Sequence, residues 1–296
     1  MIHKPPAGAR DLFPLEVVQK RWINDRVHEV FQRWGYQRIV TSTLEHLDTL
    51  IAGGAIDPAT VIQVQNTEEG LLGLRSELTA SIARASVTRM AGDSYPQRLC
   101  YRSNVFRRPS SSHQGGQVEF HQSGVELLGI GGVLVDVEVL LLLAECVNRL
   151  ELPKWHLLFG EVGLTRSLLA PFPEEVRAKV RYCLANLDRV MLAQLPLSTE
   201  LGERALLLFD LRGKPEDVLQ KIAPLELDAE GKERINNLKS LIDLLSESHP
   251  EPLPMVLDLS LMQTIDYYTG IVFDVIGYTE TEKLLLGQGG RYDQLL

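Results

Sequence analysis

The stretch from Leu99 to Gly129, LCYRSNVFRRPSSSHQGGQVEFHQSGVELLG, constrains this chain most tightly. It reads as two strands joined by a long polar loop. Tyr101, Val105 and Phe106 carry the β-propensity of the first run, and Val118, Phe120, Val125 and Leu127 that of the second. Pro109, three serines and Gly115-Gly116 are loop chemistry. A side-chain period of two puts Phe120, Gln122, Gly124, Glu126 and Leu128 on one face. An amide and a carboxylate beside a glycine make a poor core and a good floor for a small polar ligand. Arg107 and Arg108 stand at the loop entrance, placed to meet an anion. A solvated sheet face with a basic turn accounts for the same residues equally well.

Charge narrows the partners. The 296 residues carry a formal net charge of −9, which argues against general binding to nucleic acid or a membrane surface. The segment from Arg84 to Arg108 departs from that balance. It holds Arg84, Arg89, Arg98, Arg102, Arg107 and Arg108 against one acid, Asp93. Such a patch suits an anion or phosphate site, although an ordinary helix surface is the better reading of Arg84 and Arg89. Cys100, Cys146 and Cys183 are odd in number and widely spaced, so they suggest neither a disulfide framework nor a metal site. With no apolar run of membrane-spanning length, a cytoplasmic protein is expected.

Apolar spacing predicts a helix over about Leu15–Trp34, built on Val17, Val18, Trp22, Ile23, Val27, Val30 and Phe31 and ended by Gly35. Strands follow at Tyr36–Thr41, Val61–Asn66 and Leu71–Leu74. A helix over about Leu78–Met90 has Ser76 and Thr79 as candidate caps, and Glu77 near its start gains from the helix dipole. Val133–Leu150 reads as an apolar helix and Trp155–Phe159 as a strand. From Leu164 to Ser248 strand signals nearly vanish, and helices are expected at Glu174–Ala193, Ser198–Phe209, Pro215–Ile222 and Asp228–Leu245. Strand chemistry returns at Met255–Leu259, Tyr268–Val275 and Lys283–Leu286. The expectation is an α+β fold with an antiparallel sheet flanked by helices. Residues 1–163 and 251–296 would form the core and 164–250 a helical insertion. Neither GxGxxG nor GxxxxGK[ST] occurs.

Four polar clusters fall at strand ends or on strand faces. They are Glu77 with Thr79; Arg107 with Gln122 and Glu126; Asp266-Tyr267-Tyr268-Thr269-Gly270; and Gly289-Gly290-Arg291-Tyr292-Asp293. Two carboxylates, an amide and tyrosine hydroxyls suit a ligand bearing an ammonium or imidazole, and Arg107 suits a carboxylate or phosphate. Taken singly, each cluster has a plain structural reading: Gly-Gly-Arg as a tight turn, Tyr-Tyr as core.

The wording and order of these clusters resemble the catalytic domain of histidyl-tRNA synthetase, a class II aminoacyl-tRNA synthetase, over nearly the whole chain. AGARDLFP, WGYQRI, LRSELTA, YRSNVFRR with FHQSGVELLG, IDYYTGIVFDV and GQGGRYDQL carry the resemblance. It implies that Glu77 and Thr79 hold a histidine α-amino group. Gln122 and Glu126 match the glutamine and glutamate of motif 2. Tyr267, Tyr268 and Tyr292 fall in the motifs whose tyrosines line the imidazole end, and Arg107 matches the arginine that bridges the histidine carboxylate and the ATP α-phosphate. No cofactor and no metal are implied.

Departures from that family decide the reading. Gln263, in LMQTIDYYTG, stands where the synthetases have an arginine that stabilises charge during adenylate formation. Loss of such a donor costs about 10²–10³ in rate by analogy with other transition-state donors. Arg108-Pro109 replaces the segment bearing the adenine-reading glutamate, and Gly116-Gln117-Val118 replaces an Arg-x-Arg. The chain stops at Leu296, ahead of motif 3 and an anticodon-binding domain, on a strand-to-helix transition that suggests a truncated piece. This pattern is similar to the regulatory-subunit family of ATP phosphoribosyltransferase in histidine biosynthesis. The resemblance implies no catalysis, a short catalytic partner subunit in a hetero-octamer, sensitivity to histidine, and a homodimer through about Leu15–Thr41. The alternatives are a divergent histidyl-tRNA synthetase activating histidine with ATP, and an amino-acid sensor or tRNA-shape binder with another partner.

Overall fold

The computed structural model describes residues 4–52, 56–66, 70–108, 117–249, 251–260 and 268–295. Gln263, Asp266, Tyr267, Pro109 and Gly116 lie outside the described residues. Two compact units emerge. The first comprises Met1–Ile130, Glu145–Leu150 and Gln294–Leu296, and the second Gly131–Ala144 and Glu151–Asp293.

The first unit opens with α1 (Pro14–Arg33), whose N-terminal amide, Phe13 N, donates to Glu16 Oε2 at 2.8 Å. Pro14 at the first position costs no hydrogen bond, because that amide has no intrahelical acceptor. Gly35, at φ +80°, closes the helix. Of the expected apolar stripe only the C-terminal half is covered: Val30 and Phe31 are buried, whereas Val17, Val18, Trp22 and Ile23 are exposed. Then follow β1 (Gln37–Arg38), β2 (Leu44–His46), α2 (Leu47–Ile51), β3 (Gln63–Asn66), β4 (Gly70–Leu74), α3 (Thr79–Val87), β5 (Gln97–Phe106) and β6 (Glu119–Leu128). One sheet has the order β1-β5-β6 and another β2-β4-β3. The β5–β6 pair is the long hairpin anticipated from Leu99–Gly129, in register from Gln97↔Leu128 to Phe106↔Glu119. Its core face buries Leu99, Tyr101, Val105 and Leu128.

Helix α4 (Val133–Arg149) leads to the second unit's β7 (Trp155–Glu161). Six helices follow: α5 (Val162–Leu169), α6 (Glu174–Ala185), α7 (Arg189–Ala193), α8 (Thr199–Phe209), α9 (Pro215–Ile222) and α10 (Ala229–Ser248), with the short strand β8 (Arg212–Gly213) between α8 and α9. Strands β9 (Met255–Asp258), β10 (Ile271–Tyr278) and β11 (Lys283–Gly290) complete a sheet of order β11-β10-β7-β9-β8. Polar caps start the helices at Ser198 and Asp228, where the sequence places them, and at Asp188, where it does not. Ser198, Asp228 and Asp188 accept from Leu201 N, Gly231 N and Met191 N at 3.3, 2.7 and 2.8 Å.

Four expectations need correction. The single helix over Glu174–Ala193 is two, broken where Leu187 takes φ +53° and Asp188 caps the next turn. Helix α5 and strand β8 were not anticipated. β8 pairs Arg212 with Asp258 and so joins the helical stretch to the sheet. Pairing is mostly antiparallel, but β1–β5 and β7–β9 are parallel, and the helical stretch is the long connection a parallel β7–β9 pair requires. Finally, Gly289-Gly290 is the end of β11, not a tight turn. Among the described residues no helix is long and apolar enough to cross a membrane.

Candidate functional site

In the first unit, five of the residues singled out lie on the start of α3 and on the β5–β6 hairpin. Arg75 holds this region in place. Its buried guanidinium donates from Nε to Asn104 O at 2.9 Å and from Nη1 to Thr41 O at 2.9 Å, while its carbonyl accepts from Phe106 N at 2.9 Å. The chain is thereby fixed on both sides just before Glu77. The Glu77 carboxylate accepts from Thr79 N and, at 2.9 Å, from Ala80 N, so it caps α3. The cap is Glu77 and not Ser76 or Thr79: the Ser76 hydroxyl is buried without a hydrogen-bond partner, and Thr79 turns elsewhere. Thr79 Oγ1 donates to Glu126 Oε1 at 2.8 Å. Glu126 is 5% exposed, a buried carboxylate on the even face of β6.

Gln122, on the same face, donates from Nε2 to Tyr101 Oη at 2.9 Å. Tyr101 pairs with Gly124 across the hairpin, and a Cβ on Gly124 would lie 2.5 Å from that hydroxyl. The glycine's room is therefore taken by the Tyr101 ring. Tyr101 entered the sequence reading only through its β-propensity; its register opposite a glycine is the signal that identifies its role. Arg107 donates from Nε to Ser76 O at 2.7 Å. Burial lowers its pKa from the usual arginine value, opposed by the charges of Glu77 and Tyr101. Two of the six arginines of the wider patch, Arg84 and Arg102, are ion-paired. Arg84 donates to the buried Glu45 carboxylate at 3.0 and 2.8 Å, and Arg102 stands 3.8 Å from Asp25.

In the second unit, the two tyrosine motifs are locked to each other. Thr269 N donates to Arg291 O at 2.8 Å, Thr269 Oγ1 to Asp293 Oδ2 at 2.7 Å, and Arg291 N to Ile271 O at 2.8 Å. Tyr268 is half-buried against Val162 and Val272. Gly290 makes room for its ring, since a Cβ there would lie 2.8 Å from Tyr268 Cδ1. Tyr292 is half-buried one residue beyond Arg291. Behind these motifs stands a group absent from the sequence reading: Asp136, Glu161 and Arg234. Burial pushes the Asp136 carboxyl up to about 6 against the opposing pull of Arg291. Among the described residues, no group of three His, Cys, Asp or Glu side chains is placed to hold a metal ion.

Comparison with known proteins bears on the whole chain. The family model described as histidyl-tRNA synthetase matches residues 8–296. The "ATP phosphoribosyltransferase regulatory subunit" of Gloeothece citriformis is 63% identical over 297 residues, covering 100% of this chain and 73% of that protein. The chain belongs to the ATP phosphoribosyltransferase regulatory subunit family. A solved structure described as an ATP phosphoribosyltransferase regulatory subunit/histidyl-tRNA synthetase, from Bacillus halodurans C, matches with a TM-score of 0.90 and 31% identity, covering 99% of this chain and 77% of the other. The ATP phosphoribosyl transferase (HisG:HisZ) complex from Thermotoga maritima contains a chain of the same fold, with a TM-score of 0.68 at 19% identity over 91% of each chain. The regulatory-subunit family thus carries a class II synthetase-like α+β fold, as the motifs suggested.

Proposed function

We propose that this chain is a non-catalytic regulatory subunit of ATP phosphoribosyltransferase, acting at the first step of histidine biosynthesis in the cytoplasm. It joins a short catalytic subunit in a hetero-octamer, activates it, and makes it sensitive to histidine. The observation that carries the reading is 63% identity over the full chain to a protein named as that subunit. Gln263 in place of an arginine, and Arg108-Pro109 in place of the adenine-reading segment, support the absence of adenylate chemistry.

In this reading histidine is the ligand of Glu77, Thr79, Arg107, Gln122, Glu126, Tyr267, Tyr268 and Tyr292. A ligand ammonium would take over carboxylate lone pairs that now accept from Thr79 N, Ala80 N and Thr79 Oγ1. Linkage then requires that histidine and the partner subunit each alter the other's affinity by the same factor. The exposed apolar side chains on α1 (Leu15, Val17, Val18, Trp22 and Ile23), with Phe13 just before it, support a homodimer formed through that helix. Residues 164–250 act as the insertion and the remainder as the synthetase-like core.

The test is co-elution with a short-form catalytic subunit on a sizing column, and failure to form a complex sinks the proposal. A second reading, activation of histidine with ATP, is favoured by the family model's description. Calorimetric titration separates the two. Histidine binding without ATP binding supports the regulator, and histidine-dependent ATP–pyrophosphate exchange supports the enzyme.

A further inference from the structure

The second unit contains a cavity of about 140 Å3, with charged groups set in a mainly apolar wall, that the regulatory reading does not use. Its wall includes Gly132 and Asp136 at the start of α4, Glu161 at the end of β7, Arg234 and Asn237 on α10, and Arg291 after β11. Two carboxylates and two guanidinium groups therefore face one small space. Their side chains are mostly shielded from water: Glu161 is 5% exposed, Asp136 12% and Arg291 19%.

The pairing across this space is loose. Arg291 Nη1 lies 3.4 Å from Asp136 Oδ2, and Arg234 Nη1 lies 3.4 Å from Glu161 Oε1. At the rim, Arg234 Nη2 to Glu230 is 3.4 Å and Arg291 Nε to Asp293 is 3.5 Å. Charge-assisted N–H···O contacts normally close to about 2.7–2.9 Å. Shielded charges gain enough to offset lost hydration only when their hydrogen bonds are well made. Glu161 Oε2 also accepts from Leu164 N, but the two shielded pairs, Asp136 with Arg291 and Glu161 with Arg234, stop short of that distance beside the void, which leaves room there for a further partner.

The geometry points to a binding site for a small zwitterion of the α-amino acid class. A lone cation would draw on Asp136 and Glu161 and leave both guanidinium groups uncompensated. A lone anion would do the reverse. A ligand carrying both signs completes both sets at once. Size agrees: at about 30 Å3 per water the cavity holds roughly five waters' worth, enough for an amino acid with a short side chain. Leu241 and Ile271 supply an apolar wall for that side chain. The occupant would meet both tyrosine motifs through Gly270 and Arg291, which line the cavity. All these residues lie in the second unit, whereas Glu77, Gln122 and Glu126 lie in the first.

The test is calorimetric titration of the full chain with glycine, L-serine and L-threonine, with acetate and ethylamine as single-charge probes. One of the amino acids is expected to bind at one site, with acetate and ethylamine at least about tenfold weaker. Asn237→Trp, at an exposed helix position lining the cavity, is expected to abolish that binding without shifting the melting temperature. Arg234→Gln, a second variant should the first fail to fold, is expected to weaken it about tenfold or more. Glu77→Gln is expected to leave it unchanged. Absence of binding by all three amino acids, equal binding of acetate or ethylamine, or full binding by both cavity variants would overturn the proposal.

Discussion

The Thr79 hydroxyl donates to the Glu126 carboxylate at 2.8 Å, joining the first turn of α3 to the even face of β6. Glu126 is buried, so its charge depends on donors aimed at it. Thr79→Val keeps the shape and removes one donor. It is expected to cost about 1.5–3 kcal/mol in urea unfolding, the range for hydrogen bonds to charged groups. It is also expected to weaken histidine binding in a calorimetric titration. Unchanged values in both would place the pair outside the site.

Gly124→Ala tests whether the hairpin face is closed by Tyr101. The added methyl would meet the Tyr101 hydroxyl at 2.5 Å and its ring carbon at 2.6 Å. Displacing a packed ring typically costs about 1–3 kcal/mol, and here the Gln122 bond is lost as well. Thermal unfolding should show the loss, and adding Tyr101→Leu should recover part of it.

Arg84 illustrates how a basic patch can be structural. Its guanidinium is the partner of Glu45, which is 6% exposed. Arg84→Met should cost about 3 kcal/mol, because it strands a buried carboxylate, and the double variant with Glu45→Gln should cost less than Arg84→Met alone. Denaturant melts of the three proteins decide this.

Asp136 makes stability depend on pH in a defined direction. Burial, the largest influence, raises its carboxyl from 3.8 to about 6; Arg291 and Arg234 pull it down, and Asp293 and Glu161 push it up. Below both values it is protonated in the folded and unfolded chain, and no penalty exists. Above both it is charged in each, and the penalty is complete. Stability contributed by this group therefore falls as pH rises from about 4 to about 6, by about 3 kcal/mol in all. His121 runs the other way: at this exposed position partial desolvation, with Lys20 and Arg102 beside it, lowers the imidazole to about 4, and stability is lost as pH falls from its ordinary value toward that one. The difference between the parent chain and Asp136→Asn isolates the first effect: the variant should gain relative stability as pH rises through that window.

Much of the fold was legible because local chemistry and tertiary context agree. The long hairpin, the Gly35 stop, the Ser198 and Asp228 caps and the Pro215 start all follow from single residues or short periods. What escaped lacks a local signal. Leu187 breaks a helix at positive φ with neither glycine nor proline present. Two residues suffice for β8, and its partner is distant in sequence. Val17, Val18, Trp22 and Ile23 keep helical spacing while exposed, since a period reports an apolar face and not what covers it. The candidate site was legible as residue types, because carboxylates on a strand face are rarely core. Its closure by Tyr101, the capping by Glu77 and the Asp136–Arg291 pair needed three dimensions.

The central claim is regulation of a partner's catalysis, and the rate of ATP phosphoribosyl transfer by a short catalytic subunit tests it most directly. The rate should rise when this chain is added and fall again when histidine is added to the pair. A rate that is the same with and without this chain would contradict the account.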